Sequence, residues 1–183
     1  MLVLSIQKIL KKEKTILFMT NIELLEEKLV FYESYHHNLY NKIVHIFFVP
    51  MLLYTGFIMI NYFNETAGLL GLLGYSGYYL YLDLFGGLSY SVILYLMYLG
   101  RYQFLFTDAL IIHIVSWLAQ ILSHKYLEKR APALMDSFFT SITIAPLYIW
   151  LEILSLIGYK SKFIENIYIR GGLKLLEDKK SES

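Results

Sequence analysis

Between Ile43 and Tyr159 the chain carries five apolar runs, and their lengths constrain its fold more than any other feature. They are Ile43–Ile60, Ala67–Leu82, Leu84–Gly100, Leu105–Leu122 and Phe138–Tyr159. Most approach the length a helix needs to cross a bilayer core of ~30 Å. The composition agrees: 57% of the 183 residues are apolar and only 17% charged, the charges gathering at the two ends and in one internal loop. Tyr and Trp crowd near the ends of the runs, as interfacial anchors do. The expected fold is all-α: a polytopic membrane helical bundle of about four to five hydrophobic segments plus an N-terminal amphipathic helix. That helix is expected from Asn21 to about His36, with Leu24, Leu25, Leu29 and Tyr32 at helical spacing against Glu23, Glu26 and Glu27.

Only Asp83 separates the second run from the third, which predicts a tight helical hairpin. Gly68, Gly71, Gly74 and Gly77 are placed to let helices approach closely. Residues 1–20 read as a poorly constrained extension without the apolar core of a signal peptide, with Met19 an alternative start. Residues 21–160 form the membrane-embedded domain, and 161–183 a polar C-terminal tail. Basic residues before the first run, over Lys125–Arg130 and from Lys160 to Lys180 favour an even number of crossings. The run containing Pro146 and Glu152 is the one expected to be re-entrant or interfacial.

With no cysteine, disulfides, thiolate metal sites and iron–sulfur clusters are excluded, so any metal has nitrogen and oxygen ligands. A formal net charge of +1 without a basic stripe argues against nucleic acid. The chemistry lies in the histidines. On the fourth run His113, Trp117, Gln120, His124 and Glu128 follow spacings that share one helix face. Ionisable groups within lipid are costly, and such a stripe points to function. A hydrogen-bonded seam between helices is the plainer alternative. His36 and His45 stand nine residues apart, on opposite faces of one continuous helix. A break over Asn38–Asn41, with Asn41 capping a helix that starts at Lys42, would let them converge. On this reading the two histidine-bearing segments meet inside the bundle and hold a metal ion.

Tyr32-x3-His36-x-Asn38-x2-Asn41-x3-His45-x4-Pro50 resembles the opening motif of the yeast-type 2-hydroxy fatty acid dioxygenase family, small membrane proteins of fatty acid alpha-oxidation. Trp117-x2-Gln120-x3-His124-x3-Glu128-x-Arg130-x-Pro132-Ala133-Leu134, then Ala145-Pro146 and Glu152, is similar to the family's second signature. The likeness covers roughly Leu24 to Tyr159. Leu39 stands where many relatives have proline, and His37 falls at a variable position and is taken as a bystander.

The resemblance implies an Fe(II)-dependent dioxygenase that cleaves C1–C2 of 2-hydroxy fatty acids, as in phytosphingosine degradation, and leaves a chain one carbon shorter. It implies His36, His45, His113 and His124 as metal ligands. Glu128 is a reserve ligand or outer partner, and Asn41 and Gln120 orient imidazoles. Zinc would bind similar ligands, so iron rests on the resemblance, as does a multi-pass location in the endoplasmic reticulum membrane. The substrates are a 2-hydroxy fatty acid and O2, and the surroundings are membrane lipid. Two other readings compete: a scaffold whose polar seam fixes helix register, and a proton-coupled transporter, for which no internal repeat is found.

Overall fold

A computed structural model describes residues 20–133 and 136–182, so the N-terminal extension lies almost wholly outside the described residues, as does Leu134. Among the described residues the structure is helical throughout, with no strand. Helix α1 spans Asn21–Glu33 and α2 Leu39–Phe63; α3, Glu65–Leu82, and α4, Leu84–Leu99, follow. Helix α5 spans Phe106–Ser123 and continues as a π-turn over His124–Glu128. Helix α6 is Phe138–Leu156 and α7 Ser161–Glu182.

Helix α1 begins at a capping box. Thr20 N–H donates to Glu23 Oε2 at 2.7 Å and Glu23 N–H to Thr20 Oγ1 at 3.3 Å. It ends at Glu33, short of the expected His36, with Leu25, Leu29 and Tyr32 buried. The break that follows lies earlier than the sequence suggests. Asn38, not Asn41, caps α2, accepting from Tyr40 N–H at 2.9 Å and Asn41 N–H at 3.3 Å. Asn41 is unavailable as a cap because its side chain is buried in contacts to α5.

Asp83 makes the α3–α4 hairpin as expected, accepting from Gly86 N–H at 2.7 Å. Tyr159 O–H donates to Asp83 at 2.8 Å and Lys160 pairs with it, tying the hairpin to the end of α6. The close approach within the hairpin occurs at Gly87, where a Cβ would overlap the Tyr79 main chain. Of the four glycines expected to serve this purpose, only Gly68 sits tightly against a neighbour, the Asn61 side chain; Gly74 and Gly77 face open space. Gly87→Ala is therefore expected to cost ~1–3 kcal/mol as backbone overpacking, measured as a lower melting temperature in detergent.

Helix α6 runs unbroken through Pro146 and forms the centre of the bundle, with Ile144, Leu147, Tyr148 and Leu151 buried. Proline removes the bond that the Ile142 carbonyl would otherwise accept, and Tyr75 O–H approaches that carbonyl at 3.5 Å. The segment expected as a polar tail is the helix α7. It buries Ile164 and Ile167 and packs on α1, where Arg170 pairs with Glu26 and Asn166 donates to Glu26 at 3.1 Å.

Among the described residues, three helical stretches are long and apolar enough to cross a membrane: Leu39–Phe63, Phe106–Glu128 and Phe138–Leu156. Large apolar side chains on their outer faces, including Phe47, Phe63, Ile111 and Leu118, are exposed. An outer surface of this kind is at ease in lipid and unfavourable in water.

Candidate metal centre

Three of the four histidines expected as ligands come together, each delivered by a different local structure. His36 sits in the turn after α1, His45 in the second turn of α2, and His124 where α5 widens into its π-turn. The ring centroids of His36 lie 4.5 Å from His45 and 4.6 Å from His124; His45 and His124 are 5.0 Å apart. All three are at most 4% exposed. One nitrogen from each falls within 4.8 Å of the others, and no second such group occurs among the described residues.

The backbone sets two of the three tautomers. His36 Nδ1 lies 2.7 Å from the Tyr32 carbonyl, and His45 Nδ1 lies 2.9 Å from the Asn41 carbonyl. A carbonyl only accepts, so both Nδ1 atoms carry the proton and both Nε2 atoms present lone pairs. The Tyr32 ring stacks on His36 at 3.8 Å and 10°, which holds the imidazole plane. Burial, and then the neighbouring His45 and His124, hold the His36 pKa well below that of free imidazole, so the ring stays neutral.

His124 Nε2 lies 3.1 Å from His36 Nε2, while His124 Nδ1 is buried without a hydrogen-bond partner. Buried imidazoles converging in this way, with His124 Nδ1 left unsatisfied, form a donor set that fits a divalent metal with coordination positions to spare. The three buried histidines thus form a site able to hold a metal.

The remaining expected residues occupy other positions. His113 stands apart, with both ring nitrogens engaged: Nδ1 is 2.8 Å from Thr55 Oγ1, and Nε2 accepts from Trp117 Nε1–H at 3.1 Å. Its metal-ligand role is not supported by this geometry, since a helical rise of five to six Å per turn carries it three turns away from His124 along α5. Expected outcome: His113→Gln keeps the metal content of the purified protein unchanged, as read by elemental analysis.

Glu128 is not among the converging groups either. Its Oε1 accepts from Asn38 N–H at 2.8 Å and Asn41 Nδ2–H at 2.9 Å, while Asn41 Oδ1 accepts from Ser123 Oγ–H at 2.6 Å. This clamp joins the start of α2 to the end of α5, and through the Asn41 carbonyl it steadies His45. Asn41 therefore orients an imidazole by its main chain and not by its amide. Gln120 is buried and donates weakly to the Ser116 carbonyl at 3.4 Å, with no bond to an imidazole. His37 is half-exposed beside Glu33, consistent with a bystander. Ser123, the bond from Asn38 N–H to Glu128 and the Tyr32 carbonyl were not anticipated. The spacing of four in Tyr32–His36 and Asn41–His45 was the available signal for the carbonyl contacts.

Beside the centre lies a buried ion cluster. Lys42 Nζ pairs with Glu33 at 2.6 Å and Glu152 at 3.1 Å. Tyr148 O–H donates to Glu33 and, at 3.0 Å, to Glu152; Tyr168 O–H donates to Glu152 at 2.8 Å. Burial raises the Glu33 pKa, with Lys42 and Tyr148 opposing the rise.

The histidines form one end of a cavity of about 300 Å³ whose walls are mostly apolar, contributed by α2, α3, α5, α6 and the loop at Pro132. A buried cluster of imidazole nitrogens lining a mostly apolar cavity, in a bundle whose helices include stretches long and apolar enough to cross a membrane, defines a class: all-helical proteins of membrane character with a site able to hold a metal. The sequence profile described as 2-hydroxy-palmitic acid dioxygenase Mpo1-like matches residues 22–157. The chain belongs to this Mpo1-like family. It is 34% identical over 143 residues to the 2-hydroxy-palmitic acid dioxygenase MPO1 of Saccharomyces cerevisiae, covering 74% of this chain and 82% of that one. No solved structure matches.

Proposed function

We propose that this protein is an Fe(II)-dependent dioxygenase that cleaves the C1–C2 bond of 2-hydroxy fatty acids and releases a chain one carbon shorter. The observation that carries this reading is the convergence of three buried imidazoles on an apolar cavity. Such a cavity suits a ligand with one polar head and a long apolar tail. Family membership and the name of the yeast relative support the substrate class. The stoichiometry closes without another reductant: 2-hydroxy acid plus O2 gives the shorter acid, carbon dioxide and water.

His36, His45 and His124 would hold the metal. Iron bound there supplies redox activation of O2 and a Lewis-acidic anchor for the carboxylate and hydroxyl of the head group. The chain's own residues do the rest. The Tyr32 and Asn41 carbonyls keep the Nε2 lone pairs of His36 and His45 available, and the Glu128 clamp holds α2 against α5. Burial excludes bulk water from the reacting carbon. The reading includes a multi-pass location in the endoplasmic reticulum membrane, supported by the family and by the three apolar stretches.

The test is to reconstitute the purified protein anaerobically with Fe(II), add 2-hydroxypalmitic acid and admit O2. The expected result is a product one carbon shorter, with iron near one per chain. Stoichiometric zinc with no oxygen uptake in any reconstitution would overturn the reading.

A further inference from the structure

We propose that Gly56 sets the acyl-chain length that the cavity accepts, the tail lying along one face of α2 and passing over the bare backbone at this residue. The proposal rests on the dioxygenase reading for its substrate. Its structural basis is separate.

His45, Val49, Leu52, Gly56 and Ile60 recur at spacings of four and three, occupy one face of α2, and all line the cavity. From His45 to Ile60 this wall runs roughly 22 Å at ~1.5 Å per residue, about the length of an extended palmitoyl chain. The two ends differ. The histidines are at most 4% exposed, whereas Ile60 is 45% exposed, so this wall runs from a buried end at the histidines to an exposed end at Ile60. That polarity places the head at the histidines and the methyl end of the tail toward Ile60.

Gly56 differs from the glycines that serve helix packing. A Cβ at Gly68, Gly86 or Gly87 would collide with a neighbour, but a Cβ at Gly56 meets nothing within 4 Å. No helix needs the bare backbone there, and a glycine in mid-helix weakens the helix. What its missing side chain leaves is open cavity. On α3, Gly71 lines the same cavity, with the Phe57 ring 3.4 Å from where its Cβ would be. A bulky side chain at 56 would therefore fill the tail's path without disturbing a packed interface.

The experiment compares wild type, Gly56→Leu and Gly56→Phe, all as full chains loaded with Fe(II), on 2-hydroxy acids of palmitoyl and hexanoyl length. The ratio of kcat/KM for the long over the short acid is expected to fall at least about 10-fold in Gly56→Phe, with Gly56→Leu between, since small misfits in apolar pockets cost about 10–200-fold. An unchanged ratio in folded variants overturns the proposal. A second arm needs no turnover: a palmitoyl-length acid with a diazirine at its far end is photolysed on each protein, and the labelled peptides are mapped. Label between Leu52 and Ile60 in wild type, reduced in the variants, is expected. Label elsewhere overturns the tail path whatever the activity, and also decides the matter if Gly56→Phe does not fold. Correct labelling with no turnover of any 2-hydroxy acid would leave the tail path standing and remove the dioxygenase reading.

Discussion

His124→Ala is expected to abolish metal binding: from near one ion per chain to below a tenth, with turnover reduced at least about 100-fold. Loss of even an outer partner of a ligand costs ~10–100-fold, and His124 is one of the three groups that converge among the described residues. The fold should survive, because alanine removes a side chain whose Nδ1 is already unsatisfied. Elemental analysis beside circular dichroism separates these effects. His37→Ala, a half-exposed neighbour, serves as the control and should retain full metal content. A scaffold with a structural polar seam predicts the opposite pattern, in which no ion is bound in wild type and His→Gln changes are tolerated. Metal retained at full occupancy in His124→Ala would exclude the arrangement described here.

Lys42→Met should be the most destabilising single change outside the centre. Lys42 is the cation between two carboxylates, and its removal leaves Glu33 and Glu152 buried side by side. Breaking a buried ion pair by removing one partner costs ~3–5 kcal/mol. The loss should depend on pH. Burial places the folded-state pKa of Glu33 above its ordinary value, so folding favours the protonated carboxyl. The stability this confers is present below the ordinary carboxylate range and lost as pH rises through the raised pKa. Without the opposing charge of Lys42 the pKa rises further, so Lys42→Met should melt nearest to wild type in mild acid and diverge from it toward alkaline pH. Lys42→Met combined with Glu33→Gln should recover part of the loss. Thermal melts in detergent across pH check both points. Equal destabilisation at every pH would mean that Lys42 acts through packing of its stem instead.

The apolar runs made an all-helical fold with membrane-length segments legible because lipid leaves the backbone few other options, and hairpin formation at Asp83 followed from a single polar residue between two such runs. His36, His45 and His124 were also legible as candidate ligands, from their residue type and their position within or beside those runs. The tautomers of His36 and His45 were not. These depend on the Tyr32 and Asn41 carbonyls, which face the rings only because α1 ends at Glu33 and α2 begins at Leu39. Placing the cap at Asn41 followed a sound local preference, but the preference was outweighed by Glu128 and Ser123, distant in sequence and in contact in the fold.

His113 shows the same limit. On a helical wheel it shares a face with His124, but a wheel discards distance along the axis, and in the bundle Thr55 and Trp117 engage its two nitrogens. Gly87 rather than the Gly68–Gly77 series carries the close approach in the hairpin, because which glycine meets a neighbour depends on helix rotation and crossing point. By itself, then, the sequence determined the apolar, membrane-length character of the helices, the helical class and the chemistry of the candidate ligands, all of which depend on residue type and local periodicity. The tertiary structure alone decided which donors converge, which polar groups are spent on holding helices together, and where the cavity runs, because those depend on contacts between residues far apart in the chain.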